Sequence, residues 1–331
     1  MNQTILVTGG AGYIGSHVVR QLGERGEQLI VLDDLSTGFA DAVLHGTLVQ
    51  GSTGDRALLS RLLSEHRIDT VMHFAARTIV PESVTDPLRY YANNTASTLT
   101  LLAACQEAGV DRFIFSSTAA VYGNPASGIC GEQDPTAPIN PYGRSKLMSE
   151  WMLSDLAAAG DIHHVTLRYF NVAGSDPQQR IGQSTERGTL LTKVACEAAT
   201  GKRSHVSVFG TDYPTPDGTG VRDYIHVEDL ADAHLKALDY LRAGGESTTL
   251  NCGYGRGFSV REVLAAVERA NGMSLDVREE ARRPGDPAML VARAERIREV
   301  LGWRPRHDDI DEIVRTSLAW ERRLCAIRNA L

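Results

Sequence analysis

Hydrophobic positions in the first 170 residues follow two alternating patterns. Segments 4–10 (TILVTGG), 28–34 (QLIVLDD), 47–51 (TLVQG), 69–76 (DTVMHFAA), 112–118 (RFIFSST) and 164–171 (HVTLRYFN) are short, nearly continuous apolar runs rich in β-branched residues. Runs of this kind read as parallel strands covered on both faces. Between them, residues 13–26, 56–65, 87–108 and 141–159 carry helical spacing. Asp86 followed by Pro87 is a helix start: a capping carboxylate, then a residue whose missing N–H costs nothing at the first position. Strand alternating with helix predicts an α/β fold with a doubly wound parallel sheet.

Beyond residue 172 the pattern loosens. Two Gly/Pro/Thr-rich stretches, 175–188 and 210–223, separate helical segments near 189–200, 228–242, 259–271 and 308–328, with short strands near 205–209 and 248–252. The expectation is a smaller C-terminal α/β lobe set against the carboxyl ends of the first sheet, with ligand in the cleft between them. The chain of 331 residues is long enough for about two such units.

Composition narrows the class of molecule. Hydrophobic residues make up 42% and charged residues 23%, the balance of a globular enzyme, and the net charge of −7 argues against a nucleic-acid binder. An acidic chain can still hold an anionic ligand through a local arginine cluster and main-chain N–H groups. No apolar run approaches the ~18 residues of a membrane span, and the N-terminus leads straight into a strand rather than through a signal peptide. The five cysteines are scattered without metal or redox spacing, which predicts reduced thiols in a cytoplasmic setting and no metal site.

Three motifs carry chemistry. VTGGAGYIGSH (7–17) places Gly10, Gly12 and Gly15 on a G-x-G-x-x-G template, with Gly9, Gly12 and Gly15 on a G-x-x-G-x-x-G one. It follows a strand, opens a helix, and has Asp33 ending the next strand, 18 residues past Gly15. Glycines let the backbone approach a pyrophosphate, and the helix N-terminus supplies free N–H groups. Asp33 would accept from an adenosine ribose and repel a 2′-phosphate, favouring NAD over NADP. A bare tight turn is the alternative. The second motif is Tyr142-x-x-x-Lys146, an i, i+4 pair on one helical face. An ammonium beside a phenol lowers the phenol pKa from about 10 and suits it to act as a base on a sugar hydroxyl. A packed tyrosine with a surface lysine would show the same spacing. The third, FSSTAAVYG (115–123), puts Thr118 at a strand end, where its hydroxyl could meet the reacting oxygen or merely bond the local backbone.

At these motifs the chain resembles the extended short-chain dehydrogenase/reductase family, and within it the UDP-glucose 4-epimerases of the bacterial exopolysaccharide-type branch. HFAA (73–76), ESV (82–84), YYANN (90–94), NPYGRSK (140–146), LRYFNVAG (167–174), RRPGDPA (282–288) and above all FGTDYPTPDGTGVRDYIHV (209–227) match family landmarks along nearly the whole chain. The resemblance implies a Rossmann NAD-binding domain over 1–171, and a mainly UDP-sugar-binding lobe over 172–331 with some segments returning to the first domain. It implies Tyr142 as base and acid, Lys146 as its tuner and Thr118 as hydroxyl partner. It assigns the NAD site to Gly9, Gly12, Tyr13, Ile14, Gly15, Asp33, Asp34, Leu35, Ser36, Thr37, Gly38, Ser52, Thr53, Phe74, Ala75, Ala76, Asn93, Ser116 and Tyr169, besides Tyr142 and Lys146. The UDP-sugar would meet Thr118, Tyr142, Phe170, Asn171, Leu190, Leu191, Phe209, Arg222, Arg283 and Asp286. Arg282 and Arg144 read as solvated charge. The implied enzyme is a cytoplasmic isomerase of galactose and exopolysaccharide metabolism, a homodimer through helices 87–109 and 141–159.

The chain also departs from that pattern. Ser52 stands where the family commonly has Asp, Leu190 where it offers a polar Asn or His, and Pro81 where Gly is common. Met289 stands where residue size is thought to bound the sugar pocket. These leave open a 4-epimerase of UDP-glucuronate, a UDP-pentose or a UDP-N-acetylhexosamine, with Arg77, Arg180 and Arg187 as candidate carboxylate partners. A 4,6-dehydratase needs an acid–base pair after the strand-end threonine, and Ala119 and Ala120 supply neither. A non-catalytic NAD-binding regulator would have no use for Tyr142 and Lys146.

Overall fold

The structure, a computed structural model, describes residues 4–186, 188–283 and 285–329. Its strands are β1 (Thr4–Thr8), β2 (Gln28–Asp33), β3 (Thr47–Gln50), β4 (Ile68–His73), β5 (Arg112–Thr118), β6 (Ile129–Cys130), β7 (His163–Tyr169), β8 (Asn171–Ala173), β9 (Val206–Phe209), β10 (Val221–His226), β11 (Thr248–Cys252), β12 (Gly257–Ser259), β13 (Val277–Glu280) and β14 (Met289–Ala292). Its helices are α1 (Tyr13–Glu24), α2 (Arg56–Glu65), α3 (Val80–Thr85), α4 (Pro87–Tyr90), α5 (Ser97–Ala108), α6 (Pro141–Ala159), α7 (Leu191–Ala199), α8 (Val227–Arg242), α9 (Val260–Asn271), α10 (Glu295–Leu301) and α11 (Ile310–Asn329). None of them is long and apolar enough to cross a membrane, among the described residues.

Seven strands form one parallel sheet in the order β11-β7-β5-β4-β1-β2-β3. Alternate residues of each strand serve opposite faces, which explains the unbroken apolar runs. Ile5 and Val7 join Val18, Val19 and Leu22 of α1 and Leu230 of α8 on one face. Leu6 joins Ile30, Leu32, Leu59 of α2 and Leu101 of α5 on the other. The strand order reverses between β1 and β4, so their carboxyl ends diverge and open a crevice between the connections on either side.

Several elements differ from the expected ones. The sheet strands stop short of the terminal glycines and alanines, because the chain turns into the crevice there. The helix expected over 87–108 is α4, a π-helical turn over 91–96, and α5. A pattern of apolar spacing is blind to one wide turn within a helix. β11, read among the strands of the C-terminal lobe, is the seventh strand of the large sheet, parallel to β7, and α8 packs on α1 against its face. The remaining strands build smaller sheets: β10 pairs with β8, β12 and β14, β14 with β6, and β9 with β13.

Two helix starts position the cleft. α1 begins at Gly12 with no side-chain cap and no acidic residue in its first turn, so its leading N–H groups face the crevice unneutralised. α6 begins at Asn140, whose carboxamide accepts from Gly143 N at 2.8 Å, with Pro141 at the first position. It ends at Gly160 in the left-handed conformation.

Candidate active site

A cleft open to solvent lies at the reversal point. It gathers Gly9, Gly12, Asp33, Asp34, Ser36, Thr37, Ser52, Thr53, Phe74, Ala75, Ala76 and Asn93, together with Leu32, Gly51 and Arg77. Gly9 adopts φ +70°, and a Cβ there would lie 2.4 Å from Ala75 N; a Cβ on Gly15 would lie 2.2 Å from Gly9 O. The loop is therefore pressed against both the end of β4 and the first turn of α1, and only glycine fits either position. Asp33 accepts from Ala11 N and Leu35 N, each at 2.9 Å, which holds the loop to the end of β2. Burial pushes its carboxyl up, and the two N–H groups oppose that. Leu35 is itself in the left-handed region, φ 58°. Ser36 donates to Asp34 at 2.6 Å, and Ser52 accepts from Gly54 N at 3.1 Å. Tyr13 and Ile14 open α1 beside this loop, and the Tyr13 phenol donates to Gly174 O at 2.6 Å, tying it to the chain after β8. A Cβ on Gly38 would lie 2.9 Å from the Ala11 carbonyl group, so that glycine packs against the same loop.

On the far side of the crevice, α6 runs along the end of β5. The Thr118 hydroxyl is the hydrogen-bond partner of the Tyr142 phenol; burial raises the phenol pKa above its ordinary value although this bond lowers it, so in this structure the phenol does not show the lowering expected from Lys146. One turn on, Lys146 is 3% exposed, donates to Ser116 O at 2.6 Å and lies over the Phe115 ring. Burial pushes the Lys146 ammonium down to about 7, against the opposing pull of Glu150. Tyr169 stands next to Tyr142 and donates to His234, while Ser116 bonds its phenol. The structure thus brings Thr118, Tyr142, Lys146, Ser116 and Tyr169 together at one strand end.

A third group forms where β9 and β10 meet the 282–288 segment. The Arg283 guanidinium lies 4.6 Å over the Phe209 ring and pairs with Asp286 at 2.8 Å. Arg222 donates to Val221 O, and burial lowers its pKa against the pull of Asp286. Arg282, read as solvated charge, is exposed; it lies over Tyr213 at 4.1 Å and pairs with Asp212 at 2.7 Å. Phe170 is buried, Asn171 begins β8, and Leu190 and Leu191 open α7. Met289 packs against Gly128, where no Cβ could stand. Pro81 is the second residue of α3. Of the arginines considered for a carboxylate, Arg180 is committed to Asp176 and Glu24, Arg77 lines the crevice, and Arg187 lies outside the described residues.

Sequence reasoning missed three supporting side chains. Asn94 binds both backbone groups of Arg77 and the Ser145 hydroxyl, fastening the crevice wall to α6. Glu150, one helical turn on from Lys146, and Arg168 form a buried bidentate pair. The four-residue step from Tyr142 to Lys146 continues to Glu150, and that spacing was the available signal.

The family model for the NAD dependent epimerase/dehydratase family matches residues 5–253, ending one residue beyond β11. A UDP-glucose 4-epimerase of Azospirillum brasilense is 57% identical over 97% of this chain and 92% of its own. Among solved structures, a UDP-glucose 4-epimerase of Brucella ovis in complex with NAD shares 43% identity, with TM-score 0.93 over 96% of this chain and 98% of that one. One from Stenotrophomonas maltophila, with bound NAD and formylated UDP-arabinopyranose, shares 42% identity with TM-score 0.94 over 99% and 100%. By its sequence along most of its length and by its fold, the chain belongs to the NAD dependent epimerase/dehydratase family.

Proposed function

We propose that the protein is a UDP-glucose 4-epimerase, an isomerase that inverts C4 of a UDP-hexose without net redox change. The observation that carries this reading is the Tyr142 phenol, held by Thr118 and one turn from Lys146, beside a glycine-lined crevice. The crevice suits a dinucleotide: Gly9, Gly12 and the uncapped start of α1 offer close backbone and free N–H groups to a pyrophosphate. The Asp33 carboxylate at the end of β2 keeps lone pairs for a ribose and disfavours a 2′-phosphate. Bound there, NAD supplies an acceptor for hydrogen from C4 and a donor that returns it.

The residues then divide the remaining work. Tyr142 takes the proton of the sugar 4-hydroxyl and gives it back after the 4-keto sugar turns over. Thr118 fixes the phenol oxygen, and the Lys146 cation stabilises the phenolate. Phe209, Arg222, Arg283 and Asp286 anchor the uridine diphosphate, with Asn171 and the Leu190–Leu191 backbone beside it; Phe170 borders the sugar. A guanidinium fork matches diphosphate oxygens. Strong anchoring of the remote nucleotide leaves the sugar free to present both faces. Gly15, Leu35, Gly38 and Tyr13 shape the cofactor loop, and Asn93, Ser116 and Tyr169 flank the reacting end. We read residues 1–171 as the NAD-binding domain, completed by β11 and α8, and most of the remainder as the UDP-sugar lobe.

Val84, Leu88, Leu99 and Trp151 stand exposed on α3, α4, α5 and α6. A second copy of the chain covering that face accounts for them, so the proposed state is a homodimer. The proposed setting is cytoplasmic galactose and exopolysaccharide metabolism. The experiment is incubation of purified protein with UDP-galactose, UDP-glucuronate, UDP-N-acetylglucosamine and UDP-xylose, with C4 epimers scored by proton NMR. UDP-galactose is expected to turn over fastest. Failure to epimerise any of the four would overturn the reading.

A further inference from the structure

Helix α6 meets the end of β5 in three steps. Tyr142 engages Thr118, Lys146 engages the Ser116 carbonyl, and Glu150 accepts from the Ser117 hydroxyl. Each residue of the helical series is four positions on, and together they bind three consecutive strand residues. The third step is closed from behind. Arg168 on β7 donates to both Glu150 oxygens, at 2.6 Å for the shortest bond, and also to the Tyr122 phenol at 3.0 Å. Tyr122 donates in turn to Asn251 at 2.7 Å, and Asn251 N donates to Glu132. Glu150 and Arg168 are 6% and 7% exposed.

A buried ion pair of this kind is poor value for stability alone, because desolvation offsets most of the attraction. Its position suggests a second use. Lys146 donates to a neutral carbonyl and rests over a neutral ring, and no carboxylate lies within ion-pair distance of it among the described residues. The charged and titratable groups that interact with it are Glu150 on its own helix and His73 on β4; on β7, Arg168 pairs with Glu150 and Tyr169 stands next to Tyr142. His73 is buried and neutral between Thr8 and Thr98. Among the described residues Glu150 is thus the one anion acting on the ammonium, and Arg168 pairs with that same carboxylate.

We propose that Glu150 is a positioning residue for the proton transfer at Tyr142: its carboxylate holds Lys146 in the cationic form, and Arg168 sets how much of that charge Lys146 feels. The inference rests on the reading of Tyr142 and Lys146 given above. Lys146 must stay protonated to stabilise the phenolate, so activity falls as pH rises through the Lys146 pKa. Removing the anion lowers that pKa; removing the guanidinium that neutralises the anion raises it.

The test uses NAD-loaded protein and UDP-galactose across pH. In Glu150→Gln the alkaline limb of kcat is expected to move down by about one pH unit, and in Arg168→Gln up by a similar amount. A purely structural role would weaken both variants without opposite shifts. The second readout needs no turnover. The chain has only four lysines, Lys146, Lys193, Lys202 and Lys236, so 15N-lysine NMR can follow the Lys146 Nζ titration, assigned with Lys146→Met. The double variant Glu150→Gln/Arg168→Gln leaves neither member of the ion pair buried without its partner and guards against misfolding of the single ones. Its Lys146 midpoint is expected below that of the parent protein. Shifts in the same direction for both single variants, or a double-variant midpoint at or above the parent's, would overturn the inference. A parent protein that epimerises nothing would instead sink the functional reading, while the NMR titration would still decide the role of Glu150.

Discussion

Tyr142→Phe separates chemistry from architecture. The substitution keeps the ring and its packing and removes one oxygen, whose partner in the structure is the Thr118 hydroxyl. Thr118 keeps its bond from Ala120 N at 3.2 Å, so its oxygen is not orphaned. Losing one such hydrogen bond costs about 1 kcal/mol of stability, a fall in Tm of no more than a few degrees. The kinetic cost is of another size. A positioned acid–base group contributes roughly 10²–10⁴-fold in rate, or about 3–5 kcal/mol of barrier. The variant should therefore fold, retain NAD through the untouched glycine loop, and lose at least about 100-fold in kcat. Conversion of UDP-galactose followed by proton NMR gives the rate, and the absorbance of heat-released cofactor gives its content. A kcat within tenfold of the parent, at equal NAD content, would refute the assignment of Tyr142 as the base.

Other consequences are as direct. Gly9→Ala places a Cβ 2.4 Å from backbone at a left-handed φ, so the purified variant should carry little NAD; full occupancy would show that the loop is not the pyrophosphate cradle. Burial pushes His73 and His226 down to about 3 and His164 and His234 to about 4, below the ~6.5 of the unfolded chain. The stability these neutral rings contribute is present above pH ~6.5 and is lost as pH falls toward 4, because the unfolded state binds the extra protons. The urea midpoint should drop between pH 7 and pH 5, and an unchanged midpoint would contradict the burial argument. Trp151→Glu, on the exposed face of α6, should convert a dimer to a monomer in sedimentation; a dimer that persists places the interface elsewhere.

Much of this was legible in the sequence because parallel strands covered on both faces leave a signal that needs no partner. Ile5, Leu6 and Val7 are each buried, on alternating sides. The glycine loop was legible for a similar reason, since close backbone approach excludes side chains whatever the surroundings. The π-helical turn over 91–96 was not, because the apolar spacing of 87–108 barely changes across it. Nor was the place of β11, since five residues, all buried but Thr249, do not state which edge they pair with. At the site, the i, i+4 step announced Tyr142 and Lys146, while the pairing of Arg168 with Glu150 depends on how the next strand, β7, packs against α6. Arg283 lying over Phe209 is likewise a matter of tertiary packing. Each residue looked like a nucleotide contact alone, and nothing in the chain indicated that they touch each other.

The late arrival of β11 has a consequence for how the chain is made. Until residue 252 has left the ribosome, the outer border of β7 has no neighbour, and its row of amide and carbonyl groups lies open. Until α8 is complete, the flank of α1 that it covers is bare. A nascent polypeptide halted near residue 171 would hold the nucleotide loop and Tyr142 but not the border strand that closes the sheet. Such an intermediate would be sticky and slow to settle, and the first half should therefore not survive expression on its own.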